Sequence, residues 1–326
     1  MKILLTADWH LKHKHPFSQV VEGKVWDELF EAKMRVLWEL PNIAKKEDVD
    51  WVAITGDIFD NTNPPEAIKA EVCKLLDKFS CPVFIINGNH ETASFGNHAL
   101  MDIGQAYKST TSKKSHVFVY NDHNVTDGIG MFHIMMEGID ERYRNVIKFE
   151  DSRFADCNTI LLGDYHAFFK KNYGGKTFVY PGTPYPTRFG EENHSVCILE
   201  CDAQGNTRNS KQVEIPSYKF LECNTSDIKK TIGDADAKGF QYVLKVRTTA
   251  KPENMNKIAL KLREYKVKLS KRENCLDFVY SIKAAKVVAE LEDVSNRSVE
   301  DVALEYIGNN CMYPEEGKAL FKELMT

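Results

Sequence analysis

Three short apolar runs govern what this chain can fold into. Lys-Ile-Leu-Leu-Thr-Ala at residues 2–7, Trp51–Thr55 and Val83–Ile86 have the length of strands and little of the polar alternation of a sheet with one wet face. Such runs suit strands covered on both sides. Between the first two, Trp26, Leu29, Phe30, Met34, Leu37 and Leu40 recur at helical spacing, which predicts a helix over residues 25–46. Between the second and third, residues 64–79 open on Pro-Pro-Glu and read as a second helix. This β-α-β-α-β order implies a parallel, layered α/β core.

Further strands are expected at residues 116–120, 130–136, 159–162, 177–180 and 195–200, so the core reads as two packed sheets with helices outside. Near Ile215-Pro216 the motifs that carry chemistry stop. Strands at 220–223, 242–247 and 277–283, with a helix at 252–265, predict a small α+β domain over residues 217–284. Residues 285–326 read as helical, with Ser298 as an N-cap and Pro314-Glu-Glu opening another helix. The expected division is 1–216, 217–284 and 285–326.

Composition narrows the class. A chain of 326 residues with 43% hydrophobic and 28% charged residues fits a soluble globular protein with a real core. No apolar run is long enough to span a bilayer. The N-terminus reads as a first strand and not as a signal peptide, so an intracellular setting and no membrane partner are expected. The net charge of -4 gives no global field toward nucleic acid; such contacts must come from local patches, metal ions or a partner. The eight cysteines form no C-x-x-C pair and are expected to be free thiols.

The chemistry sits where the apolar runs end. Asp8-Trp9-His10 follows the first, Gly56-Asp57-Ile58-Phe59-Asp60 the second and Gly88-Asn89-His90-Glu91 the third. Alternation puts Asp8 and His10 on one side of the chain, where a carboxylate and an imidazole suit one metal. Asn89 offers a neutral amide oxygen, and His90 beside it can serve as an acid. Each motif alone is weak, but open α/β sheets build sites where parallel strands end, and here three in succession deliver ligand-type residues. His133, inside Phe132–Gly138, reads alone as a core histidine; in this company it reads as a ligand. Gly163-Asp164-Tyr165-His166 adds two more ligand types at i and i+2. A mixed Asp, Asn and His set without thiolate suits two divalent ions of the manganese, iron or zinc type, not a structural zinc. Paired ions of this kind hydrolyse phosphate esters.

Together these motifs resemble the calcineurin-like metallophosphoesterases. Within that superfamily the chain is similar to the SbcD-type DNA repair nucleases over residues 1–200, including Tyr180-Pro-Gly-Thr-Pro184 followed by Arg188-Phe-Gly-Glu-Glu192. The short length points to a phage-encoded member. The resemblance implies a four-layer α/β/β/α core with a small α+β capping domain and C-terminal helices. It implies one metal held by Asp8, His10, Asp57 and His166, a second held by Asp57, Asn89, His133 and Asp164, and His90 as the catalytic histidine. Asp60 stands where it could orient a ligand. It further implies manganese as the metal, DNA as the substrate, cleavage at DNA ends, a homodimer, and an SbcC-type coiled-coil ATPase as partner. The setting would be the cytoplasm of a bacterium or a phage-infected host. Two positions depart from the family pattern: Glu91 replaces an aspartate, and Asp164 replaces the first histidine of Gly-His-x-His.

Basic residues flank these motifs. Lys12, His13, Lys14 and His15 follow the first ligands, and Lys170 and Lys171 follow His166. Such loops either contact phosphate or are simply solvated. Two rival readings remain. One is a calcineurin-like phosphatase or phosphodiesterase acting on a non-DNA phosphate ester; Asn61-Thr62 after Asp60, in place of Arg-Gly, stands against its protein-phosphatase branch. The other is a binding scaffold without activity, against which stands the intact ligand set.

Overall fold

The apolar run at the N-terminus forms β1 (Lys2–Thr6), whose alternate side chains serve two cores at once. Ile3 and Leu5 face a second sheet, Leu4 faces helices, and all three are fully buried. That double burial explains why the strand carries no polar alternation. The computed structural model describes residues 1–12, 28–92, 100, 103–104, 116–120, 123–192, 194–284, 304, 315, 318–319 and 321.

β1 lies inside a six-stranded sheet. It pairs in parallel with β2 (Trp51–Thr55), which continues in parallel to β3 (Val83–Ile86) and β4 (Val117–Tyr120). On its other edge it pairs antiparallel with β10 (Ser195–Cys201), followed by β11 (Thr207–Glu214). A five-stranded sheet stacks on it in the order β5 (His123–Thr126), β6 (Ile129–His133), β7 (Thr159–Gly163), β9 (Lys176–Tyr180), β8 (Phe169–Tyr173). Ile3, Leu5, Ala53, Ile86, Met131, Leu161 and Val179 fill the space between the sheets.

α1 (Glu28–Leu37), α2 (Leu40–Glu47) and α3 (Glu66–Leu76) belong with the outer face of the first sheet, where Phe30, Leu37, Leu40, Ile68 and Leu75 join its core. The single helix expected over residues 25–46 is two helices in the described part. Pro41 lies in the first turn of α2, where its missing N–H costs nothing, and the chain restarts there. The outer face of the second sheet is covered by Met136, Phe149 and Phe154, the last on a 3-10 turn at Ser152–Phe154. The fourth layer is thus built, among the described residues, from irregular chain with this short turn. The fold is a mixed α/β core of two stacked sheets with few helices.

Beyond it, β12 (Lys219–Asn224), β13 (Tyr242–Ala250) and β14 (Cys275–Ala284) form a three-stranded sheet with α4 (Ile228–Lys238) and α5 (Pro252–Leu269). It has its own core around Ile228, Tyr242, Leu244, Leu262 and Phe278, while Tyr218, Val243 and Leu276 join the core of the first sheet. The chain divides into two compact units, residues 1–248 with 257–282, and residues 249–256 with 283–326. Most of the helical segment expected at 285–326 lies outside the described residues. Among the described residues no helix is long and apolar enough to cross a membrane.

Candidate metal centre

The strands that carry the motifs end at one place. β1, β2 and β3 of the first sheet and β6 and β7 of the second deliver Asp8, Asp57, Asn89, His133 and Asp164 from their C-terminal ends. His133 is the last residue of β6, which stops there and does not run on to residue 136 as expected. At each strand end the backbone turns sharply. Asp8, His10, Asp57 and Asp164 have φ of 55°, 44°, 53° and 94°. These are four of the six described non-glycine residues with positive φ, a conformation that stores strain and gathers at functional sites.

Close approach of the loops depends on glycine. A Cβ on Gly88 would stand 1.9 Å from Asp57 Oδ1, and one on Gly163 would stand 2.0 Å from the Thr55 carbonyl oxygen and 2.6 Å from His133 Nδ1. Side chains at either position would push ligand-type groups apart.

The side chains converge. Ligand atoms of Asp8, His10 and His166 lie within 4.8 Å of one another, as do those of Asp8, Asp57 and His133, and those of His10, Asp60 and His90. Asp57 Oδ2 stands between two imidazoles, 3.7 Å from His10 Nε2 and 3.4 Å from His133 Nε2. His10 Nε2 and His166 Nε2 face each other at 3.1 Å. Asn89 Nδ2 donates to Asp164 Oδ1 at 3.3 Å, which stands 4.0 Å from His133 Nε2. His90 is 41% exposed, the most open of the histidines here, with its ring edge-on to His10. Its Nδ1 lies 3.5 Å from Asp60 Oδ1.

Each buried imidazole is held by its other nitrogen. His133 Nδ1 donates to the Thr55 carbonyl at 2.7 Å, His10 Nδ1 pairs with Asp60 Oδ1 at 3.1 Å, and His166 Nδ1 pairs with Glu191 Oε1 at 2.6 Å. This turns every Nε2 toward the centre, the arrangement by which proteins orient metal-binding histidines. Glu191 also accepts from the Thr187 and Arg188 amides. Burial opposes its ionisation, but the His166 bond and charge and these amides pull its pKa down to about 2.

The residues fit a pair of cations. Asp8 and Asp57 are 0% and 2% exposed, and two buried carboxylates side by side need positive charge between them. Burial raises the pKa of Asp8. Burial opposes the ionisation of Asp57 too, but His133, His10 and His90 outweigh it and hold that pKa down. His133 Nε2 is buried without a hydrogen-bond partner, an orphaned polar atom that a metal ion would satisfy in place of its proton. Burial opposes its charging, yet Asp57 and Asp8 lift the His133 pKa to about 10, so an ion arriving there displaces a proton.

Behind the ligands, Glu91 is fully buried and accepts from the amides of Asp57, Phe59 and Gly88 at 3.2, 3.0 and 2.9 Å. It ties the loop after β2 to the loop after β3. Burial pushes its pKa up to about 7.

The basic residues fare differently. Lys12 forms an ion pair with Asp60, and His13, Lys14 and His15 lie outside the described residues. Lys170 and Lys171 lie on the edge strand β8. Lys170 Nζ donates to Ser210 Oγ at 2.9 Å, and Lys171 Nζ sits 4.0 Å from the Phe149 ring. Sequence reasoning did not assign Glu191 or Thr187 a role. Their only signal was membership of the stretch after Tyr180.

The sequence profile described as calcineurin-like phosphoesterase matches residues 1–194. The D subunit of the nuclease SbcCD from Bacillus subtilis is 35% identical over 95 residues, 28% of this chain and 22% of that protein. Its namesake from Staphylococcus saprophyticus is 31% identical over 128 residues, 38% of this chain and 29% of that protein. The matches therefore span under a third of these relatives. Among solved structures, an archaeal phosphodiesterase superposes with a TM-score of 0.41 at 12% identity, covering 65% of this chain and 100% of that one. With the profile spanning more than half its length and both carboxylates and imidazoles gathered at the strand ends, the chain belongs to the calcineurin-like phosphoesterase family, whose members bind divalent metals.

Proposed function

We propose that this protein is a metal-dependent DNA nuclease that hydrolyses phosphodiester bonds at DNA ends, as exonuclease and endonuclease, with two divalent ions and manganese as the working metal. The observation that carries the nucleic-acid reading is the similarity to the D subunits of two SbcCD nucleases. In support, Glu191, from the stretch that resembles this nuclease branch, braces His166 directly.

Asp8, His10, Asp57 and His166 would hold one ion, and Asp57, Asn89, His133 and Asp164 the other, with Asp57 shared. Bound divalent ions supply positive charge against the phosphate and lower the pKa of water. The chain's own part is to hold these ligands rigid and to place His90. Its exposed imidazole, braced by Asp60, would give a proton to the leaving oxygen. Lys12 and, with it, His13, Lys14, His15, Lys170 and Lys171 are proposed DNA contacts. Residues 217–284 would cap the site, and residues 285–326 would dock an SbcC-type coiled-coil ATPase. The working form would be a homodimer in the cytoplasm of a bacterium or a phage-infected cell.

The test is hydrolysis by the purified chain of linear duplex DNA, hairpin DNA, a chromogenic phosphodiester and a phosphopeptide, each with manganese and with chelator. Manganese-dependent DNA cleavage is expected. Turnover of the phosphopeptide or the small ester with DNA left intact would instead place the protein among phosphatases or small-molecule phosphodiesterases.

A further inference from the structure

The turn that carries Asp8 and His10 is strained at both of these residues, and its backbone is clamped from several sides. The amides of Asp8, His10 and Leu11 donate to the carbonyls of Gly56, Asp57 and Ile58 at 3.0, 2.9 and 2.8 Å. Two side chains from distant sequence take the carbonyls. Tyr185 Oη donates to the Trp9 carbonyl at 2.5 Å, and Lys33 Nζ donates to the His10 carbonyl at 2.8 Å. Trp9 itself is fixed by Nε1 donating to Thr6 Oγ1 at 2.9 Å.

Neither side chain is an ordinary surface residue. Tyr185 is 0% exposed, and Lys33 is 5% exposed on the inner face of α1. The ammonium also lies 5.6 Å from the centre of the Tyr185 ring, close enough for a cation–π attraction. A buried ammonium is costly to keep, and an apolar residue would suit the face of α1 between Phe30 and Val36. What Lys33 supplies that methionine or leucine cannot is a charged donor to the carbonyl of a metal-ligand candidate. Burial pushes the Tyr185 phenol well above its ordinary range, so it remains a donor at all working pH values.

We infer that Lys33 and Tyr185 are positioning residues that lock the Asp8–His10 turn in its strained shape and so set the affinity of the metal held by Asp8, His10 and His166. This rests on the two-ion reading above. The two side chains take carbonyls on this turn alone: His133 is held instead by the Thr55 carbonyl, and Asn89 Nδ2 donates to Asp164 Oδ1. Its loss is therefore expected to be selective, which global destabilisation would not be.

The test is titration of the metal-stripped full chain with manganese, by calorimetry and by electron paramagnetic resonance of the spin-coupled ion pair. The variants are Lys33→Met, Lys33→Arg and Tyr185→Phe, the last removing a single oxygen and keeping fold and volume. Wild type should take two ions. Lys33→Met and Tyr185→Phe should bind one ion within twofold of wild type and the other about tenfold to a hundredfold more weakly, the range seen when groups bracing metal ligands are removed. The coupled signal should fade in proportion, and Lys33→Arg, which keeps a charged donor, should recover part of it. Two ions in wild type with both variants unchanged, or with both ions weakened alike, overturns the clamp alone. Fewer than two ions in wild type overturns the two-ion reading and the clamp with it.

Discussion

The two halves of the centre are built on different principles. On the side of Asp8, His10 and His166, both imidazoles are backed by carboxylates, Asp60 and Glu191. On the side of His133, Asn89 and Asp164, the one imidazole is backed by a neutral carbonyl, and Asn89 lies open to solvent. Carboxylate backing makes an imidazole a stronger donor and fixes its tautomer. In the proposed two-ion reading the first half would hold its ion by ligand basicity and preset geometry. The second would gain its negative charge from Asp164 itself. A rigid, nitrogen-rich half and a more open, oxygen-rich half would differ in affinity and in metal preference.

The largest effect should come from Asp57→Asn, the residue between the halves. Cleavage should fall to background and ion binding should drop in both halves; retention of both ions would show that the halves are held independently. Next is His90→Ala, a residue that belongs to neither half's proposed ligand set. It should cost about 10²–10⁴-fold in cleavage, with manganese binding within twofold; a parallel loss of binding would make His90 a ligand. Glu191→Gln should weaken one ion by about 10–100-fold and leave the other alone, and titration calorimetry separates the two. Asp164→Ala should weaken the other ion, while Asp164→His should move metal preference from magnesium toward zinc; identical metal titrations for the three proteins would remove Asp164 from the ligand set.

The smallest effect concerns pH. The Glu191 pKa is lowered in the folded chain to about 2, from an ordinary 4.5. Its pairing with His166 therefore stabilises the metal-free fold fully above about pH 4.5 and is lost as pH falls toward 2. Thermal melts of metal-free wild type and Glu191→Gln should converge over that window, and parallel curves would show that the pairing contributes nothing to stability.

Much of the core was legible because buried parallel strands announce themselves. Trp51–Thr55 and Val83–Ile86 fall where their apolar runs placed them. The missed elements lack that signal. β11 reads Thr-Arg-Asn-Ser-Lys-Gln-Val-Glu, an edge strand with no buried residue, and β5 is four residues with none. α4 was missed although Ile228, Ile232 and Ala235 bury one face, because Gly233 and the charged residues around it mask the period. The ligand-type residues were readable from strand ends, and those described do converge. Lys33, Tyr185, Thr187 and Glu191 were not given roles, because what they brace is set by tertiary approach across up to 176 residues, as from Trp9 to Tyr185. Spacing cannot carry that information.

The pairing of β1 with β10 has a consequence for assembly. Lys2 lies opposite Glu200, and the Met1 amine donates to the Cys201 carbonyl at 2.6 Å. A ribosome that has released only the first half of the chain has exposed β1, which leads into Asp8 and His10, with one open edge. That edge closes only after a loop of nearly two hundred residues has been made and gathered, the kind of long-range contact that folds slowly. The strand that leads to the first candidate ligands thus gains its second neighbour late in synthesis.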